Sequence, residues 1–356
     1  MPTEEQPIQR GNLASDPVKS EKLLYHYTDQ KGLLGILNSK SIWATHVRYL
    51  NDAAEFIHGI NIARQCVKEM RIDMDSALKI IPNETSRLRV SKRLWEIFSE
   101  LIDSMLGSSD KVPIFVTSFF DSEEHNHIAE SQDIGDSLGQ WRAYSKGSSG
   151  FSIGFDKTSL ENYINMRKNA PSDKLLFCEG CSYDQEKQRD EQRAKASELG
   201  PIILESIKEL AEKLNKDRNF VTRAITMEED WNRRLRKSIG GSVVEMALPA
   251  VFMKHPAFRD EREWRIAKMI IPEYKEQVCF RPGKSSLVPY INIPLPISHD
   301  SGTALIRRIV IGPSPEMGNA IAAVEILLTT LGYKVRTTGD AEGIEVLSSK
   351  IPYRDW

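Results

Sequence analysis

Leu23–Asp52, LLYHYTDQKGLLGILNSKSIWATHVRYLND, is the stretch on which the fold turns. Its first six residues alternate, so that Leu24, His26 and Thr28 share one face of a strand and Leu23, Tyr25 and Tyr27 the other. Thr28 and Asp29 then offer side-chain oxygens to the free amides of a helix start, and Gly32-Leu33-Leu34-Gly35-Ile36-Leu37 carries a short helix. A second strand, Ser41 to Ala44, runs on towards Tyr49-Leu-Asn-Asp. A doubly wound nucleotide fold is disfavoured, because no glycine-rich phosphate turn follows the first strand.

Outward from this unit the pattern predicts helices over Ala53–Glu69 and Glu84–Met105, then a strand over Val112–Phe120 containing PIFVTSFF. Beyond the polar loop HNHIAESQDIGDSLGQWRAY comes a strand over Gly150–Phe155. Residues 183–240 are charged and helix-like and interrupt the run of strands, as an insertion or cap does. Further strands are predicted at Val243–Leu248, in REWRIAKMII, in IRRIVIG and in KVRTT, with a helix over Asn319–Thr329 before the last. The expectation is an α+β fold: one domain over 23–356 built on a mixed sheet with flanking helices and a helical insertion at about 183–240, preceded by a flexible leader, 1–22.

The 356 residues are 40% hydrophobic and 28% charged, and 48 lysines and arginines nearly balance 50 aspartates and glutamates for a formal charge of -2. No global field draws in nucleic acid or an acidic membrane. No segment reaches the roughly 18 apolar residues of a membrane span, and the N-terminus lacks the apolar core of a signal peptide, so a cytoplasmic protein without a membrane partner is expected. Four cysteines are too few for a disulfide scaffold. Cys178 and Cys181 form a Cys-x-x-Cys pair with no matching second pair, and ordinary thiols are favoured over zinc or redox chemistry.

The residues that carry chemistry are polar groups on otherwise apolar strands. His26 either packs as a satisfied histidine or positions a ligand hydroxyl. Thr117 and Ser118 interrupt an apolar strand; burying a hydroxyl without a partner costs about 1–3 kcal/mol, so they bond to backbone or face a cleft. Trp141 and Tyr144 stand at helical spacing and present one aromatic face, for stacking a planar ring or for the core. His125 and His127 belong to a polar loop, and no catalytic metal is expected. In FRDEREWRIAKMII a strand would place Glu261 and Glu263 on one face, roughly 6.6 Å apart, with Arg262 and Trp264 on the other. Paired carboxylates repel, which raises one pKa. Such a pair suits glycosidic-bond chemistry without naming a substrate.

Taken in order, YHYT with GLLGIL, IWATHVRYLND, FVTSFF, LGQWRAYSKGSSGFSIGFD and DEREWRI resemble the bacterial DUF2971 family, with motifs over approximately Leu23 to Gly312. The same order is similar to the ADP-ribosyltransferase fold, a split mixed β-sheet. That resemblance implies NAD as substrate. It also implies a first-strand histidine holding the nicotinamide ribose (His26, with Tyr27 beside it), a middle strand of Ser-Thr-Ser type (here Val-Thr-Ser, Thr117-Ser118), and a Glu-x-Glu motif (Glu261, Glu263) whose second member is catalytic. Tyr49, Trp141 or Tyr144 would supply the ring that stacks on nicotinamide. The implied function is transfer of ADP-ribose to a protein or nucleic-acid acceptor, in a toxin or phage-defence effector. An NAD glycohydrolase, a nucleic-acid-processing enzyme and a non-enzymatic interaction module are the alternatives.

Overall fold

The computed structural model describes residues 22–50, 53–70, 72–79, 84–107, 113–121, 135–144, 150–216, 228–296, 305–337 and 342–352. Residues 1–21 of the expected leader, His125 and His127, and residues 145–149 lie outside the described residues.

The opening unit forms as its sequence dictates. Strand β1 (Leu23–Thr28) leads into helix α1 (Gln30–Ser39), where the Asp29 carboxylate accepts the Gly32 amide at 2.9 Å. Lys40, left-handed at φ 48°, turns the chain into β2 (Ser41–His46). The other strands are β3 (Ile114–Asp121), β4 (Phe151–Asp156), β5 (Leu176–Gly180), β6 (Glu263–Met269), β7 (Cys279–Pro282), β8 (Leu287–Pro294), β9 (Ile306–Ile311) and β10 (Glu345–Ser348). They make one ten-stranded sheet in the order β10-β9-β4-β1-β3-β2-β8-β7, with β6 on the remaining edge of β3 and β5 beyond it. The β9–β10 pair is parallel and the others antiparallel, so the sheet is mixed.

Strand β3 is the pivot. Partner β6 follows one edge from Ile114 to Phe120, so β1 and β2 must share the other. Strand β2 takes Phe115 and Val116, and β1 takes Phe120 and Asp121. Between them the ladder is interrupted, and there the His26 Nδ1–H donates to the Ser118 carbonyl oxygen at 2.9 Å. A side chain thereby supplies the hydrogen bond that a neighbouring strand would otherwise give.

Helices cover both faces. Against one face pack α2 (Ala53–Glu69), α3 (Met74–Leu78), α4 (Glu84–Gly107), α7 (Gln185–Lys216) and α8 (Glu228–Ala250), in a core that joins Phe56, Phe98, Ile203 and Met246 to Val116, Ala267 and Met269 of the sheet. Further along this face α5 (Leu138–Tyr144) seats Trp141 on Tyr25, Tyr27 and Phe120. The opposite face buries Leu24, Phe119, Ile153 and Ile266 with residues of α6 (Lys157–Arg167) and α9 (Met317–Thr330).

Several expectations need correction. Val243–Leu248 lies inside α8, not in a strand. Its apolar run is also the buried stripe of a helix, with Val243, Met246, Ala247 and Ala250 all in the core, and a short apolar run fits either period. Among the described residues of KVRTT only Val335 bridges, to Ile344, and the strand that joins the sheet is β10. The β6 strand starts at Glu263; Glu261 ends a 3-10 turn, Pro256–Glu261, and Arg262 follows it in the left-handed region at φ 37°. Strands β5, β7 and β8 were not anticipated. Helices α7 and α8 fill the connection between β5 and β6, which pair antiparallel.

Candidate functional site

At the start of β6, alternation sends Glu263 and Arg265 out of the same face, towards the helices. Beyond the end of α8 the chain turns through Val251–Met253. It is tied to the segment after β5 by the Ser182 amide to the Phe252 carbonyl (2.7 Å) and the Lys254 amide to the Ser182 carbonyl (3.0 Å). Lys254 is thereby placed over Glu263. Glu55, in the first turn of α2, reaches the same point from the helical layer. The left-handed turn at Arg262 brings Glu261 in from the outside.

The result is a buried ionic cluster. The Lys254 side chain, only 1% exposed, sends its ammonium to Glu55 Oε1 at 2.7 Å, Glu261 Oε2 at 2.5 Å and Glu263 Oε2 at 2.6 Å. Three donors meet three acceptors. The Arg265 guanidinium forks onto Glu263, Nε to Oε1 at 2.6 Å and Nη2 to Oε2 at 2.9 Å, while Nη2 also bonds Glu55 and Nη1 the Val251 carbonyl. Buried charges survive only when paired and hydrogen-bonded in this way. Three carboxylates against two cations leave a formal surplus of one negative charge. Glu261, whose side chain is 45% exposed, is the member of the cluster that reaches solvent.

Burial alone would raise the Glu263 carboxyl, but the Arg265 and Lys254 charges overcome it and hold the group at about 2. Glu263 is therefore an anion at neutral pH. Lys254 and Arg265 are raised, because the surrounding carboxylates outweigh the cost of burying a cation. Tyr144, at the end of α5, has a partly exposed ring; burial and then the Glu263 and Glu261 carboxylates push its phenol up. The Tyr183 hydroxyl accepts the Glu263 amide at 2.9 Å. Burial pushes the thiols of Cys178 and Cys181 up to about 12, which keeps both protonated and poorly nucleophilic.

The sheet brings together only part of the expected site. Glu263 lies opposite Phe120 and Arg265 opposite Ser118, so these four share a face. His26 points the other way, its ring 5.7 Å from that of Phe119, in the layer of Leu24 and Ile153. The anticipated cleft shared by His26 and Glu263 is thus divided by the sheet, since a side-chain period of 2 cannot place both on one face in this register. Thr117 is buried on the His26 face, and Ser118 faces the cluster side. Tyr27 and Trp141 are packed on each other at 4.7 Å; the Tyr27 hydroxyl accepts the Ser137 amide and the Trp141 indole N–H donates to Asp136. Both rings are buried, which removes them as stacking surfaces. Tyr49 is exposed beside His46, just after β2. Of the three candidate rings, Tyr144 is the one whose phenol feels the charges of Glu263 and Glu261.

Glu55, Lys254 and Arg265 were missed. Lys254 carried a signal, a lone cation closing the apolar run AVFMK, where a buried lysine requires partners. Glu55 and Lys254 are far apart in the chain, and only the fold joins them. Among the described residues, Glu55, Glu261 and Glu263 are the carboxylates grouped closely enough to hold a metal ion, their oxygens within 4.8 Å. The Lys254 ammonium occupies the position between them. No described helix is long and apolar enough to cross a membrane.

Residues 140–266 match the model of a family described as "Protein of unknown function (DUF2971)", so a region of that family is present over this span, narrower than the motif range expected from sequence. The match holds Tyr144, Lys254, Glu261, Glu263 and Arg265 and excludes Glu55. Neither the curated proteins nor the solved structures gave a match to the chain.

Proposed function

We propose that the protein is an NAD-consuming ADP-ribosyltransferase whose reacting end lies at Glu261, Glu263 and Tyr144. One observation carries this reading: an ionic cluster with one surplus negative charge reaches a half-exposed carboxylate, and its charges act on the partly exposed phenol of Tyr144. When nicotinamide departs with the electron pair of its bond to ribose, the anomeric carbon becomes cationic, and fixed negative charge stabilises that state more than the ground state. Glu263, anionic at any physiological pH and held by Arg265 and Lys254, does not reorganise as the charge develops. Glu261, bonded to Lys254 and exposed on its other side, is placed to accept the proton of an attacking hydroxyl or amine. Tyr144 offers the ring for nicotinamide.

The interrupted ladder between β1 and β2 along β3 is a second support for the reading, since a split sheet needs a break between neighbouring strands. His26 does not serve as a ribose ligand in this reading; it holds the division closed through Ser118. The acceptor is a protein or nucleic acid in the cytoplasm, as in a toxin or phage-defence effector. With water as acceptor the same groups give an NAD glycohydrolase.

Incubation with labelled NAD and a cell lysate tests the reading. Wild type should release nicotinamide and move label to a macromolecule. Glu263→Gln, which keeps shape and removes charge, should fall on the order of 10²-fold in turnover. Equal release by both proteins removes Glu263 from catalysis, label recovered only as free ADP-ribose makes the enzyme a hydrolase, and no NAD consumption under any acceptor condition ends the proposal.

A further inference from the structure

The wing of the sheet beyond the pivot, β2-β8-β7, presents a face that the buried cluster does not use. The register puts Trp43 opposite Asn292 and Thr45 opposite Tyr290, which is in turn opposite Cys279, so these side chains emerge together with Arg281. Trp43 is 42% exposed, an unusual place for an indole in mid-strand. Its ring centroid is 4.8 Å from that of Tyr290, and the Arg281 guanidinium lies 5.8 Å from the indole on a side chain that donates to the Thr45 hydroxyl at 3.2 Å. The Arg281 Nε–H has no partner among the described residues. No acidic residue stands among the strand positions of this face, and its ends are marked by exposed Lys40 and Lys284. Lys40 sits where β2 begins, its carbonyl accepting the Leu295 amide; Lys284 sits in the β7–β8 turn closed by the Gly283 amide and the Ser286 carbonyl.

We propose that this face is a stacking platform for single-stranded nucleic acid, with a base on Trp43 and Tyr290 and flanking phosphates on Arg281, Lys40 and Lys284. An open sheet face with aromatic rings suits unpaired bases, because every base has a π face and stacking tolerates sequence. The lack of acidic residues at the strand positions of this face and the three cations match a phosphate backbone and disfavour an acidic or purely apolar partner. An aliphatic peptide would make no use of a guanidinium lying along an indole. Binding here needs neither NAD nor the Glu263 cluster, so it can hold or fail independently of the proposed transfer.

Fluorescence anisotropy with labelled ten-nucleotide single strands of RNA and of DNA, at about 0.15 M salt and without NAD, tests the platform. Saturable binding by wild type is expected, weakened about tenfold or more by Trp43→Ala and by Arg281→Ala and largely kept by Trp43→Phe. Thermal melting of each variant separates loss of the site from loss of the fold. Duplex DNA should compete poorly. Absence of saturable binding by wild type, binding that Trp43→Ala and Arg281→Ala leave unchanged in folded protein, or equal affinity for duplex overturns the proposal.

Discussion

Lys254 and His26 show how one residue can join distant parts of this chain. Lys254→Met would leave Glu55, Glu261 and Glu263 grouped within 4.8 Å, with Arg265 the remaining cation of the cluster. Removing one partner of a buried ionic network costs about 3–5 kcal/mol, because the others stay desolvated; urea unfolding should show that loss, and a midpoint equal to wild type would mean the carboxylates reach water. The cluster also sets an acid limb. Glu263 is depressed from 4.5 to about 2, so its stabilisation is complete above the unfolded value and declines as pH falls through that interval; Glu263→Gln should flatten the stability curve there. His26 acts at a higher pH with the same sign. Burial lowers its pKa against the opposing bond to the Ser118 carbonyl, so the unfolded chain takes up a proton that the folded one refuses, and stability falls as pH drops below about 6.5. His26→Gln should lose that slope between pH 7 and 5, and an unchanged slope would place the titration elsewhere. His26 was legible as a special residue, but its role was not: the carbonyl it satisfies is 92 residues away.

Among the elements, helix α2 is the link between the helical layer and the cluster, and Gly59 governs its approach. A Cβ at Gly59 would lie 2.5 Å from the Ala250 carbonyl oxygen and 2.7 Å from the Ala250 Cα, both backbone atoms that cannot rotate away. Glu55 is one turn earlier on the same side of α2. Gly59→Ala should therefore destabilise by about 1–3 kcal/mol through overpacking, although alanine gains about 1 kcal/mol of helix propensity. It should also couple to Glu55→Gln in a double-mutant cycle, since both act on the distance between α2 and Lys254; strict additivity would count against that coupling. The elements that sequence revealed were those with a clear period, such as β1, β3, β6, β9, α1 and α2. Strand β7 is four residues long, and β8 carries prolines at 289 and 294, so neither shows the unbroken alternation that marks a half-buried strand. Val243–Leu248 failed for the opposite reason, an apolar run dense enough to suit both periods.

At the scale of the whole molecule, the sheet order makes the family region dependent on the chain around it. Residues 140–266 supply β4, β5 and the first four residues of β6, but β4 pairs with β1 and β9, and β6 pairs with β3 on its inner edge. Strands β1, β3 and β9 all fall outside the match. The core under α7 and α8 likewise needs Phe56, Phe98 and Ile102 from α2 and α4. A fragment of residues 140–266 would cut the β5–β6 pair short, losing Ala267 and Lys268 opposite Phe177 and Leu176, and leave β4 with unpaired backbone groups on both edges, together with a charge cluster that lacks Glu55. Unpaired strand edges and an exposed half-core do not sustain a cooperative fold. The fragment should therefore lack a cooperative thermal transition by circular dichroism and should exchange its amides quickly, whereas the full chain melts cooperatively. A sharp transition in the fragment would mean that β4, β5 and β6 can form a different sheet, and the placement of Glu263 and Arg265 against Ser118 and Phe120 would then be a property of the longer chain alone.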